Sequence, residues 1–156
     1  MERREFIALI GMASALMPAG ASAEPVSPLG SVAGLLPGSW RFASSVNTRR
    51  DGSTFDRWGE NPRGIFMFDR NGNYTQIILG SESRVFGAKV FCSFGTYKVD
   101  ESEKVLITRI DGCSASKLNG TVQNRAILSL TKEELRYTNP VTASGSIAEA
   151  RWKRLG

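Results

Sequence analysis

Residues 63–80 read RGIFMFDRNGNYTQIILG: two largely apolar runs, Arg63–Asp69 and Tyr74–Gly80, on either side of Asn71-Gly72-Asn73. Successive side chains of a strand point to opposite faces, so Phe66 and Phe68 share one face and Ile65 and Met67 the other. With apolar residues on both, this strand is expected to be covered on both sides. Asn and Gly tolerate positive φ, which suits the tight turn of a hairpin between the two runs. No run of ten or more residues shows the 3.6-residue period of an amphipathic helix.

Six more runs of this kind surround the hairpin: Ser39–Thr48, Phe91–Val99, Lys104–Ile110, Val122–Leu130, Leu135–Thr138 and Ile147–Leu155. Turn-forming clusters divide them, among them Asp51-Gly52-Ser53, Asn61-Pro62, Asp100–Glu103, Asn119-Gly120, Thr131–Glu134 and Asn139-Pro140. About eight sequential antiparallel strands joined by short turns predict an all-β fold, a single closed up-and-down barrel, with a sandwich as the alternative. In the first strand Trp40, Phe42 and Val46 are expected on one face, and Arg41, Ala43 and Ser45 on the other. A barrel of eight strands is either filled by its own side chains or wide enough for one small ligand.

Composition removes whole classes of function. The 156 residues contain no His, so no Ser–His or Cys–His nucleophile, histidine proton shuttle or imidazole metal site can be built. Two Cys are too few for a cysteine-only zinc or iron–sulfur site in one chain. No phosphate loop, EF-hand loop or nucleophile motif is present, and neither metal nor cofactor is expected. The net charge of +5 is spread through the chain, so nucleic acid is not an expected partner.

Residues 1–23 have the form of a signal peptide: Arg3 and Arg4 at the start, a short apolar stretch from Phe6 to Met17, and Ala21-Ser22-Ala23 as a cleavage site. About a dozen apolar residues fall short of the roughly 20 that span a membrane as a helix. Arg3-Arg4-Glu5-Phe6-Ile7 resembles a twin-arginine export signal, the general secretory route being the alternative. Either leads to the periplasm or beyond. Residues 24–37 are expected to be a leader or linker ending in a short turn, and residues 38–156 the barrel domain.

The ordered pieces Gly38-Ser39-Trp40, Asp69–Tyr74, Gly95–Asp100, Asn119-Gly120-Thr121, Leu135–Pro140 and Ala150–Arg154 resemble the bacterial lipocalin-like domain family, calycin-type β-barrels. The match runs from about Leu36 to Leu155. It implies that Gly38 and Trp40 open the first strand as the G-x-W of such barrels. It also implies that Arg151 or Arg154 stacks on Trp40 and closes one end, an interaction of roughly 0.5–2 kcal/mol. Family members often carry His after the equivalent of Val105–Thr108 and an aromatic before the Asn-Gly-Thr. Here Arg109-Ile110 and Leu118 stand there, so roles resting on those groups do not carry over.

Cys92 and Cys113 flank the hairpin turn at 100–105. If Val99 faces Leu106, then Tyr97 faces Thr108, Gly95 faces Ile110 and Cys92 faces Cys113. Facing Cα atoms of a non-hydrogen-bonded pair lie about 4.5–5.5 Å apart, compatible with a disulfide in an oxidising compartment. The register places that bond on the outer face, with buried free thiols or a reactive thiol pair as the other readings.

Acid–base chemistry would have to come from Asp56, Glu60, Asp69, Asp111 or Glu149. Asp69 and Asp100 read as turn formers, and Glu101, Glu103, Glu133 and Glu134 as solvated loop charge. Glu149, inside the last strand, either points inward toward Arg125 or Arg151 or forms a surface ion pair. The leading functional expectation is a non-catalytic exported protein holding a small, largely apolar ligand. Its expected liners are Phe42, Phe66, Phe68, Tyr74, Ile78, Tyr97, Leu106 and Tyr137, each equally readable as plain core. The alternatives are a filled barrel acting through its surface as an inhibitor or assembly partner, and a cofactor-free isomerase or cyclase.

Overall fold

The computed structural model describes residues 31–81, 89–142 and 145–156. The segment 1–23 therefore lies outside the described residues. The 63–80 hairpin forms on the expected turn. Gly72 sits at φ +87°, and the Asp69 carboxylate accepts the backbone N–H groups of Asn71 and Asn73 at 2.8 and 2.7 Å. Those bonds hold the Asp69 carboxyl below its ordinary pKa, the Asn73 side chain contributing most. Asp100 plays the same part at the next hairpin, accepting from Ser102 and Glu103 at 3.0 Å each.

The strands are β1 (Gly38–Thr48), β2 (Thr54–Phe55), β3 (Arg63–Phe68), β4 (Asn73–Leu79), β5 (Val90–Asp100), β6 (Val105–Cys113), β7 (Val122–Leu130), β8 (Glu134–Thr138) and β9 (Ile147–Arg154). All pairings are antiparallel, in the order β2-β1-β3-β4-β5-β6-β7-β8-β9, and β9 returns to pair with β1. Eight strands thus make a closed barrel, with the two-residue β2 appended to the end of β1. Closure leaves no free long edge. The sandwich alternative is excluded.

One end of the barrel is plugged. Trp40, Phe66, Leu106, Leu135 and Trp152 are fully buried there, and a single helical turn, α1 (Val32–Leu35), leads into β1. Glu101, exposed in the β5–β6 turn as expected, also accepts the N–H groups of Val32 and Ala33 at 3.1 and 2.7 Å and caps α1. Arg154 lies over the Trp40 ring, 4.0 Å from its centroid, while Arg151 points away and pairs with Glu134 at 2.6 Å. The Arg154 guanidinium also donates to the carbonyls of Leu35, Pro37 and Lys132. Gly38, at φ +135°, leaves room for it: a Cβ would stand 2.5 Å from the guanidinium. Of the two candidate arginines, Arg154 makes the indole–guanidinium closure.

Three expectations fail, two of them at β-bulges. A bulge places two residues opposite one and reverses which side chains face inward beyond it. The β1–β9 register shifts between Phe42 and Ser44, with Ala43 as the extra residue. Beyond it Ser45 and Asn47 are buried, and Val46 is on the outside at 47% exposure. In β6 the expected register holds from Leu106 to Ile110; Asp111 is then the extra residue, and Cys113 faces Ser93 rather than Cys92. Cys92 follows the outward phase of β5, while Cys113 packs against the core. The two thiols are free and lie on opposite faces, so no disulfide joins them. Unfolded, unreduced protein is accordingly expected to titrate two thiols per chain with a thiol reagent, and a value near zero would contradict the β6 bulge. The third failure is β3: Phe66 and Phe68 are buried, but Met67 is 40% exposed, so the strand is covered on one side only.

Candidate ligand-binding cavity

The two ends of the barrel differ because their inward residues differ. Toward the plugged end the inward positions carry Trp40, Phe66, Phe68, Leu106 and Leu135, and aromatic contacts fill the space. Phe66 lies 4.1 Å from Phe68, 5.8 Å from Tyr74 and 5.2 Å from Trp152, ring centroid to centroid. Toward the other end the inward residues are smaller or polar: Ser45, Asn47, Gln76, Ala148 and Ala150. There the barrel is hollow, with a cavity of about 610 Å³. At liquid density that is space for about twenty waters, and it falls in the range of small-molecule sites.

Trp152 and Tyr137 form the boundary between the filled and hollow halves. Trp152 Nε1 donates to the Tyr137 hydroxyl at 3.1 Å, and its ring meets Phe42 edge-on at 5.0 Å. Trp58, from the segment between β2 and β3, reaches over the opening and packs edge-on against Phe42 and Phe91 at 6.2 and 6.4 Å. Asn139, Pro140, Val141 and Thr142 add to the rim from the β8–β9 connection.

Polar groups are set into this apolar wall. Arg125 of β7 is 3% exposed; its Nε donates to Asn139 Oδ1 at 3.1 Å, one terminal nitrogen to Gln123 Oε1 at 2.5 Å, and the other to the Thr108 hydroxyl. It also lies over the Tyr137 ring, 5.6 Å from the centroid. Two buried polar atoms of the lining, Asn47 Nδ2 and Gln76 Oε1, and the nearby Tyr74 hydroxyl have no hydrogen-bond partner.

Of the eight expected liners, Phe42, Ile78 and Tyr137 face the cavity. Phe66, Phe68, Tyr74 and Leu106 belong to the filled core. Tyr97 is partly buried against Phe68, and its hydroxyl donates to the Asp69 carbonyl at 2.6 Å. Residues the sequence reading missed are Trp58, Ser45, Asn47, Gln76, Gln123 and Asn139. Gln76 had a usable signal, since it shares the phase of Tyr74 and Ile78 on β4. Ser45 and Asn47 had none, because the Ala43 bulge turns them inward.

No Asp or Glu is buried among the described residues. Glu149 faces outward and binds Arg136 at 2.5 Å, pairing with neither Arg125 nor Arg151. An acid–base site on an inward carboxylate therefore lacks its carboxylate among these residues.

All three tyrosines are shifted upward by burial: Tyr97 to about 12, and Tyr74 and Tyr137 also above their ordinary value. Burial favours the neutral phenol, so this contribution to stability is complete below about pH 10 and is lost as pH rises through the folded-state values. Absorbance titration at 295 nm is expected to show no tyrosinate step near pH 10 in the native protein, and a normal step in denaturant.

No family model matches the chain, and no curated protein matches it. Solved structures do. A redesigned β-barrel is 17% identical, with 83% of this chain and 100% of that one covered and a TM-score of 0.48. The redesigned barrel mFAP1 bound to DFHBI is 18% identical, with 80% and 100% covered and a TM-score of 0.45. Bovine odorant-binding protein in complex with a selenium-containing odorant is 15% identical, with 87% and 78% covered and a TM-score of 0.47.

Proposed function

We propose that this chain is an exported, non-catalytic binding protein that holds a small, largely apolar molecule in the hollow half of its barrel. The observation that carries the reading is the cavity of about 610 Å³, walled by Phe42, Trp58, Ile78, Phe91 and Trp152, in a fold whose other half is packed solid. Filling one half and leaving the other open is not what maximal burial would select, since unfilled interior space forfeits packing contacts. Export rests on the form of residues 1–23 and places the protein in the periplasm or outside the cell.

The neutral fluorophore N-phenyl-1-naphthylamine tests the reading. It is expected to bind one equivalent with a rise in its emission and quenching of tryptophan, through Trp58 and Trp152. Ala148→Trp, which fills the cavity, is expected to abolish that binding. Absence of binding by the native chain would overturn the proposal.

A second reading, action through the outer surface, is favoured by one feature. Met67, Ile77, Leu79, Val90 and Phe94 are all exposed and neighbour one another across β3, β4 and β5. A contiguous apolar face of this kind suits a protein partner, and it gains weight if the fluorophore does not bind.

A further inference from the structure

The cavity is not electrically neutral. Three cations line it, Arg57, Lys117 and Arg125, and no carboxylate does so among the described residues. Arg57 and Lys117 are near solvent, where a charge costs little. Arg125 is different: it is 3% exposed, and its hydrogen bonds go to three neutral oxygens. Neutral oxygens satisfy part of its donor capacity, three of five N–H groups, without cancelling its charge. A buried charge with no counter-charge is strongly unfavourable. Another cavity-lining group, Asn47 Nδ2, is also without a partner.

We infer that the ligand is an amphipathic monocarboxylic acid whose carboxylate pairs with Arg125, its apolar body lying along Phe42, Ile78, Phe91 and Trp58. This rests on the carrier reading and narrows it to a class of guest. One buried cation matches one negative charge, and the guanidinium fork fits the two oxygens of a carboxylate. The outer cations Arg57 and Lys117 give the opening a positive potential that draws an anion inward.

The test displaces bound N-phenyl-1-naphthylamine from the full chain with decanoate and, separately, with decanol, at neutral pH. Decanoate is expected to displace at about tenfold lower concentration or better, the scale of a charge-assisted hydrogen bond. Arg125→Gln is expected to bring the displacing concentrations of the two within about threefold. Should that variant not fold, carbon-13 NMR of carboxyl-labelled decanoate bound to the native chain gives a second reading. The bound acid is expected to titrate at lower pH than the free acid, because the cation favours its ionised form. If the fluorophore binds but acid and alcohol displace it equally, or the bound acid titrates at or above the free value, Arg125 is a structural residue and this inference falls alone. If the native chain does not bind the fluorophore, the carrier reading falls and this inference with it.

Discussion

Trp152→Ala is expected to lower the unfolding free energy by about 3–5 kcal/mol, the cost of deleting a fully buried indole. Trp152 has no exposed surface and touches both halves of the barrel, lying 5.0 Å from Phe42 on the hollow side and 5.2 Å from Phe66 on the filled side. Its removal would join a new void to the existing cavity instead of allowing neighbours to collapse. The Tyr137 hydroxyl, buried with it, would also lose the indole N–H that it accepts. Urea unfolding should show the midpoint falling with little change in slope. Trp152→Phe separates the two effects: it keeps most of the ring packing and should cost about 1–3 kcal/mol, mostly from the orphaned hydroxyl. A loss below about 1 kcal/mol for the alanine variant would mean that the indole is not the partition described above.

Gly95→Ala is the second large effect, and it acts through backbone. A Cβ on Gly95 would lie 2.0 Å from the Arg109 carbonyl oxygen and 2.9 Å from the Asp111 nitrogen, both main-chain atoms at the β6 bulge. No rotamer change relieves such a contact, so the strands must separate or the bulge must shift. The expected cost is about 3 kcal/mol or more, at the upper end of overpacking. Gly112→Ala, in the same bulge, is the comparison. There the obstruction is the Phe94 ring, 2.4 Å away but 57% exposed and able to swing aside, and the cost should stay within about 1 kcal/mol. Equal thermal or urea midpoints for the two variants would show that the bulge does not hold the tight geometry at Gly95.

The contrast between these glycines shows where reading along the chain reaches its limit. The eight runs of alternating residues correspond to the eight barrel strands, because alternation and turn chemistry are local properties. Asp69 and Asp100 grip their turns through bonds to residues only two to four positions away. The Trp40–Arg154 closure was legible as a choice between two arginines, since both lie on the last strand. The phase of each strand beyond its bulge was not legible. Ala43, Asp111 and Leu128 are the extra residues at register shifts in β1, β6 and β7, and nothing in their own side chains marks them. Two of those shifts upset particular expectations: one turned Ser45 and Asn47 inward, and the other carried Cys113 away from Cys92.

By itself the chain's alternation, turns and lack of histidine determined an all-β barrel and removed imidazole chemistry, because those features depend on residue type and near neighbours. Which half of the barrel is solid, which side chains wall the cavity, and that Arg125 is buried there with no counter-charge among the described residues were decided by tertiary structure. The bulge positions answer to strand pairing around the closed circuit, and pairing joins residues far apart in the sequence.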